Sequence, residues 1–308
     1  MAYPVVTPFS RRDLLRYAAA AAAALVLPPR LTARGAGPDP GQARLADWTE
    51  ALRAEGLTRP GVPLGRGAAR VGELALGTPY EAYALEGYIR AGGDPSAGEP
   101  LTLSLNRFDC TTLVESCLAV ARVADRPGPP SWERFGREVE HMRYRGGVRL
   151  GYASRLHYFS EWIADGARRG LVRDVGAELG GAEDVRPLRF MTEHRDRYPA
   201  LANEAVLRQI AAMERGLDGH ARRVVPTKRI PEIVGRIGTG DVLAFATEIP
   251  GLDVTHAALA HRGPDGVLRV LHAPLSGGVV EISRTTLAEY VAAIRRTTGI
   301  LVARPLRA

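Results

Sequence analysis

Arg107-Phe108-Asp109-Cys110-Thr111-Thr112-Leu113-Val114-Glu115 is the stretch on which the reading of this chain turns. Asp109 is a favourable N-cap. Leu113, Val114, Cys117, Leu118 and Ala121 then recur at three- and four-residue spacing, which predicts a helix over Cys110–Ala124 with one apolar face. Cys110 falls at the first helical position, where backbone N–H groups have no intrahelical partner and the dipole is positive. That setting is expected to lower the thiol pKa and favour the nucleophilic thiolate. The same N–H groups suit a developing oxyanion. A lone cysteine is otherwise most simply buried core filler, so the case for chemistry rests on the segments around it.

Downstream, the last third of the chain changes character. Asp241–Thr247, Val254–His261, Val267–Ala273 and Gly278–Ser283 are short apolar runs separated by Gly, Pro and Asp, as in an antiparallel meander. Pro264-Asp265-Gly266 marks a turn between two of them. Thr285–Arg295 reads as a helix and Gly299–Arg304 as a last strand. The first half reads as helices over Ala43–Glu55, Ala68–Leu76, Cys110–Ala124, Trp132–Met142, Tyr158–Arg169 and Leu201–Arg215. Helices first and a meander afterwards indicate an α+β fold.

The meander carries His256 and His261, which point to opposite faces of a strand, and His272 on the next strand. A hairpin at Pro264–Gly266 would bring His256 and His272 together on one face. A thiolate, an imidazole and a second polar group orienting that imidazole form the general triad of nucleophilic catalysis.

Upstream, Ser10-Arg11-Arg12-Asp13-Leu14-Leu15-Arg16 precedes an apolar run from Tyr17 to Leu27, 11 residues long. A membrane span needs about 20, and 11 suits the apolar region of a signal peptide. The segment resembles a twin-arginine (Tat) export signal, taken as residues 1–36, with residues 37–308 as a single domain. No cysteine follows the run, so no lipid anchor is expected, and the chain is expected to be exported to the periplasm or beyond. Residues 1–36 contain five arginines and one aspartate, so the net charge of +7 falls to +3 without them. No basic run with interleaved aromatics suggests nucleic-acid binding. Cys110 and Cys117 lie about two helical turns apart, too far for a disulfide.

Four segments together resemble the NlpC/p60 papain-like cell-wall hydrolases. They are Asp109-Cys110-Thr111-Thr112-Leu113-Val114, Gly240-Asp241-Val242-Leu243-Ala244-Phe245, Thr255-His256-Ala257-Ala258-Leu259-Ala260, and Leu271-His272-Ala273-Pro274 with Gly277-Gly278-Val279. The resemblance implies a helix carrying the cysteine packed on an antiparallel sheet carrying the histidines. It implies Cys110 as nucleophile, His256 as base and His272 as its orienting partner. Gly77-Thr78-Pro79-Tyr80 resembles the family's upstream segment, which makes Tyr80 an oxyanion contact. The spacing departs from compact members: about 28 residues separate Tyr80 from Asp109, and about 130 separate Cys110 from Asp241, which implies large helical insertions. Arg143-Tyr144-Arg145-Gly146-Gly147, Ser154-Arg155-Leu156-His157-Tyr158-Phe159-Ser160-Glu161-Trp162-Ile163 and Gly251-Leu252-Asp253 resemble the N-acetylmuramoyl-L-alanine amidase-like branch.

That branch implies cleavage of the amide between N-acetylmuramic acid and L-alanine in peptidoglycan fragments (muropeptides). The wider superfamily more often cleaves the D-glutamyl–diamino-acid bond. Asp109, Thr111, Arg155, His157 and Tyr158 are candidate substrate contacts, Arg155 being suited to a carboxylate. Asp109 also has a purely capping explanation, and Arg155, His157 and Tyr158 have ordinary structural ones. No cofactor or metal is expected: the sequence lacks an HExxH or comparable zinc-binding cluster. A noncatalytic wall-binding module and an acyltransferase using the same triad are the remaining alternatives.

Overall fold

The computed structural model describes residues 40–276 and 278–307. The signal-like segment 1–36 lies outside the described residues. The helices expected from apolar spacing are present, with ends moved by a few residues. They are α1 (Pro40–Ala54), α2 (Leu64–Leu74), α3 (Cys110–Asp125), α4 (Trp132–Arg143), α5 (Phe159–Arg168), α6 (Glu204–Gly216) and α7 (Leu287–Ala293). Shorter helical turns connect them.

Eight strands form one sheet: β1 (Val172–Asp174), β2 (Ala182–Asp184), β3 (Arg222–Pro226), β4 (Val242–Thr247), β5 (Val254–Arg262), β6 (Leu268–His272), β7 (Glu281–Ile282) and β8 (Thr297–Pro305). The order is β2-β3-β8-β4-β5-β6-β7, with β1 also paired to β8. Two features differ from the expected meander. The last strand returns to the middle of the sheet, between β3 and β4. The strands β1, β2 and β3 carry no apolar alternation that marks them in the sequence. Val172-Arg173-Asp174 and Ala182-Glu183-Asp184 are short and charged, and neighbouring strands define them.

The sheet is buried on both faces, which is why β4 reads as an unbroken apolar run (Val242–Thr247, buried throughout). One face presents Ala244, Ala246, Ala257, Leu259, Leu271 and Leu301 to the helical layer. Leu45 and Leu52 of α1, Val71 of α2, and Leu113, Cys117 and Leu118 of α3 pack there. The alanines let the helices approach closely. At Gly240, where φ is +81°, a Cβ would lie 1.7 Å from the carbonyl oxygen of Gly65, so only glycine permits α2 to start against the entry to β4. The other face carries Leu243, Phe245, Ala258, Ala260, Val270 and Ile300, covered by Ile230, Ile233, Leu287 and Val291. A third cluster, built on Tyr152, Tyr158, Leu188, Leu201, Val206 and Ile210, is the core of the inserted helical material.

Candidate active site

Asp109 starts α3 through a capping box. Its carboxylate accepts the Thr112 N–H at 2.7 Å, and the Thr112 hydroxyl accepts the Asp109 N–H at 2.9 Å. Thr112 Oγ1 also lies 2.8 Å from Asp109 Oδ1. The cap fixes Cys110 as the first helical residue. The half-buried thiol lies against the Ala257 N–H and 3.9 Å from Thr111 Oγ1. Ala257 follows His256 on β5, so α3 delivers the sulfur to the strand that carries the histidine. No hydrogen bond between Cys110 and His256 is present among the described residues.

The expected low thiol pKa is not found. Burial pushes the Cys110 thiol up to about 11, and the Asp109 carboxylate adds to the rise. The contacts from Ala257 and Thr111 act in the opposite direction but are smaller. A helix N-terminus favours a thiolate, but here that advantage is outweighed by desolvation and by the charge of the cap residue itself.

His256 and His272 meet as expected. The regular antiparallel register of β4 and β5 sets Phe245 opposite His256, just before the pairing shifts between Phe245 and Ala246, and the turn closed by Gly266 (φ +76°) brings β6 back beside β5. His256 Nε2 lies 2.9 Å from His272 Nδ1. The two rings meet edge-on with centroids 5.1 Å apart, and Phe245 stacks on His256 at 5.7 Å. Burial, with the neighbouring His272, holds His256 down to about 3, and burial holds His272 down to about 4. Both imidazoles are therefore neutral at ordinary pH. His261 turns to the other face, where Nε2 meets Glu73 Oε1 at 2.8 Å. Among the described residues no group of three or more His, Cys, Asp or Glu side chains is arranged to hold a metal.

Tyr80 is pinned from two sides. Its N–H donates to Gly278 O at 2.8 Å, and it bridges to Phe108, just before the cap. Burial and then the nearby Cys110 and Asp109 raise its pKa, so the phenol stays protonated and remains a donor. Sequence reasoning missed two neighbours of His272. The Tyr290 hydroxyl lies 3.3 Å from His272 Nδ1, and Glu281 Oε1 lies 3.7 Å from His272 Nε2. Tyr290 looks like any half-buried position on α7. Glu281 is paired with His272 by the register of β6 and β7, which residue spacing alone does not fix.

Arg155, His157 and Tyr158 sit elsewhere. Arg155 is 4% exposed, and its guanidinium binds Glu86 and, at 3.3 Å, Glu99. The expected carboxylate pocket is therefore filled by the chain's own acids. His157 Nε2 bonds Tyr152 O at 2.8 Å; burial and then Arg155 push its pKa well down. The buried Tyr158 hydroxyl donates to Glu214 Oε1 at 2.7 Å. These residues join inserted segments to one another. Asp253 extends the same scaffold to the start of β5, the strand that carries His256, by accepting the Ser160 N–H of α5 at 2.7 Å. A polar cavity of about 370 Å³ opens beside the cap, lined by Glu81, Asn106, Arg107, Thr112, Ser116 and Trp132. A second, of about 350 Å³, lies between α5 and α6, and neither cavity is lined by Cys110, His256 or His272.

The capped Cys110 helix is set against a histidine pair on an antiparallel sheet, in an α+β fold. The chain belongs to the N-acetylmuramoyl-L-alanine amidase-like family, whose profile matches residues 70–300. A twin-arginine translocation signal matches residues 8–28 and marks the chain for export. Among the described residues, no helix is long and apolar enough to cross a membrane. The chain is similar to an N-acetylmuramoyl-L-alanine amidase from Bacteroides uniformis ATCC 8492, solved at 1.07 Å. Identity is 30%, the TM-score is 0.71, and the match covers 79% of this chain and 98% of that one. A second structure described in the same words, at 1.15 Å, matches at 30% identity and TM-score 0.71, covering 79% and 99% of the two chains. A Legionella pneumophila protein shares the fold at 17% identity and TM-score 0.61, covering 86% and 94%. A search of curated proteins found no match.

Proposed function

We propose that this protein is a cysteine-dependent hydrolase of peptidoglycan fragments that cleaves the amide between N-acetylmuramic acid and L-alanine. It would do so on a papain-like core of the NlpC/p60 type. The observation that carries this reading is the 2.9 Å His256–His272 contact beside a Cys110 helix N-terminus, in a chain of an amidase-like family.

In the first step Cys110 Sγ attacks the lactyl carbonyl carbon of muramic acid while the thiol proton passes to His256 Nδ1. Because thiol and imidazole both rest uncharged, this transfer accompanies attack as general-base catalysis rather than preceding it as a stored ion pair. The Cys110 N–H and the Tyr80 hydroxyl receive the oxyanion. The carbon–nitrogen bond then breaks, and His256 gives its proton to the leaving amine of L-alanine. Water, deprotonated by His256, hydrolyses the thioester and restores the thiol. His272 holds the His256 ring throughout. No cofactor enters this sequence.

Defined muropeptides, with and without an anhydro sugar, incubated with wild type and Cys110→Ala and analysed by product mass, test the reading. It predicts stem peptides beginning at L-alanine from wild type only. Cleavage after D-glutamate would replace the bond assignment with the endopeptidase alternative. Binding without cleavage by both proteins would favour a wall-binding module.

A further inference from the structure

We propose that Glu281 is a positioning residue of the Cys110 site, holding His272 in the tautomer that leaves His256 free to act as base. This rests on the reading of Cys110 and His256 given above. For His256 to take the thiol proton at Nδ1, its own proton must sit on Nε2. That N–H then donates to His272 Nδ1, 2.9 Å away, which must be a bare acceptor. The proton of neutral His272 is then on Nε2.

His272 is 1% exposed, and Nε2 has no hydrogen-bond partner among the described residues. It faces Glu281 Oε1 at 3.7 Å. The opposite tautomer would turn an imidazole lone pair toward that carboxylate. It would also place a proton on His256 Nδ1, where the base is needed. The Tyr290 hydroxyl, 3.3 Å from His272 Nδ1, can donate or accept and so selects neither form. Among the described residues the Glu281 carboxylate alone discriminates.

The arrangement is built into the sheet. His272 and Glu281 are directly paired across β6 and β7, so their side chains share one face. The Glu281 side chain is 47% exposed, which keeps its charge solvated while the far side of the pair is dry. A carboxylate behind an imidazole is the usual means of fixing ring tautomer and orientation. Here it acts one histidine further from the nucleophile.

The test uses mature protein labelled with ¹⁵N-histidine. Long-range proton–nitrogen spectra assign the His272 tautomer in wild type, Glu281→Gln and Glu281→Ala, and kinetics on a muropeptide are measured alongside. Wild type is expected to carry the proton on Nε2. In Glu281→Gln the amide can donate to Nε2 or accept from it and so no longer selects a form, part of His272 shifts to the Nδ1–H tautomer, and kcat falls about 10- to 100-fold, the range for lost orienting partners. KM stays within about twofold and the unfolding midpoint is unchanged, as a surface carboxylate should allow. Glu281→Ala, which removes the acceptor outright, shows a comparable fall in kcat. A wild type protonated on Nδ1, or kcat and tautomer changing independently, overturns the proposal. If wild type cleaves no muropeptide, the functional reading fails, while the tautomer comparison still decides the role of Glu281.

Discussion

Cys110 was legible from residue type and position alone, but its protonation state was not. A helix N-terminus is visible in sequence, whereas burial against β5 depends on Ala257, 147 residues further along the chain. With the thiol pushed up to about 11, the thiolate fraction at pH 7 is about one in ten thousand. Iodoacetamide should therefore alkylate Cys110 about tenfold faster per pH unit between about pH 7 and 10. A rate already flat across that range would mean a preformed thiolate–imidazolium pair. The Asp109 charge contributes to the rise, and Asn caps about as well as Asp. Asp109→Asn should lower the thiol pKa and speed alkylation at pH 8 with little loss of stability. Asp109→Ala should also lose about 1 kcal/mol of stability, measured by denaturant unfolding. Unchanged alkylation in Asp109→Asn would remove the carboxylate from the account.

At the scale of elements, apolar period located every long helix and the strands β4 to β6, because those segments bury a continuous face. The short strands β1 to β3 were invisible for the converse reason: Arg173, Asp174, Glu183 and Asp184 belong to an edge whose pairing is set by partners. For the polar residues before α5, the sequence left substrate contact and structural roles both open for a related reason. An Arg-x-His-Tyr start to a helix looks like a ligand pocket when nothing in sequence shows Glu86, Glu99 and Glu214 folding back onto it. Tyr158→Phe leaves the buried Glu214 carboxylate short of one donor. It should cost about 1–3 kcal/mol in unfolding free energy, with KM for a muropeptide within about twofold of wild type. A raised KM at unchanged stability would return Tyr158 to the substrate site.

For the whole molecule, buried polar contacts hold the long segments between Tyr80 and β4 to one another and to the sheet. Arg155 ties the segment between Tyr80 and Cys110 to the segment before α5. Asp253 ties α5 to the start of β5, three residues from His256. There α5 joins α1 and α2 in one core on the same face of the sheet. Export places such an enzyme where peptidoglycan fragments occur. The central claim is that Cys110 forms an acyl-enzyme with the muramoyl group, and intact-protein mass after rapid acid quench of a muropeptide reaction tests it most directly. The account predicts an adduct on Cys110 equal to the N-acetylmuramoyl moiety, with the free peptide starting at L-alanine. Turnover that persists in Cys110→Ala, or an adduct on any other residue, would contradict it.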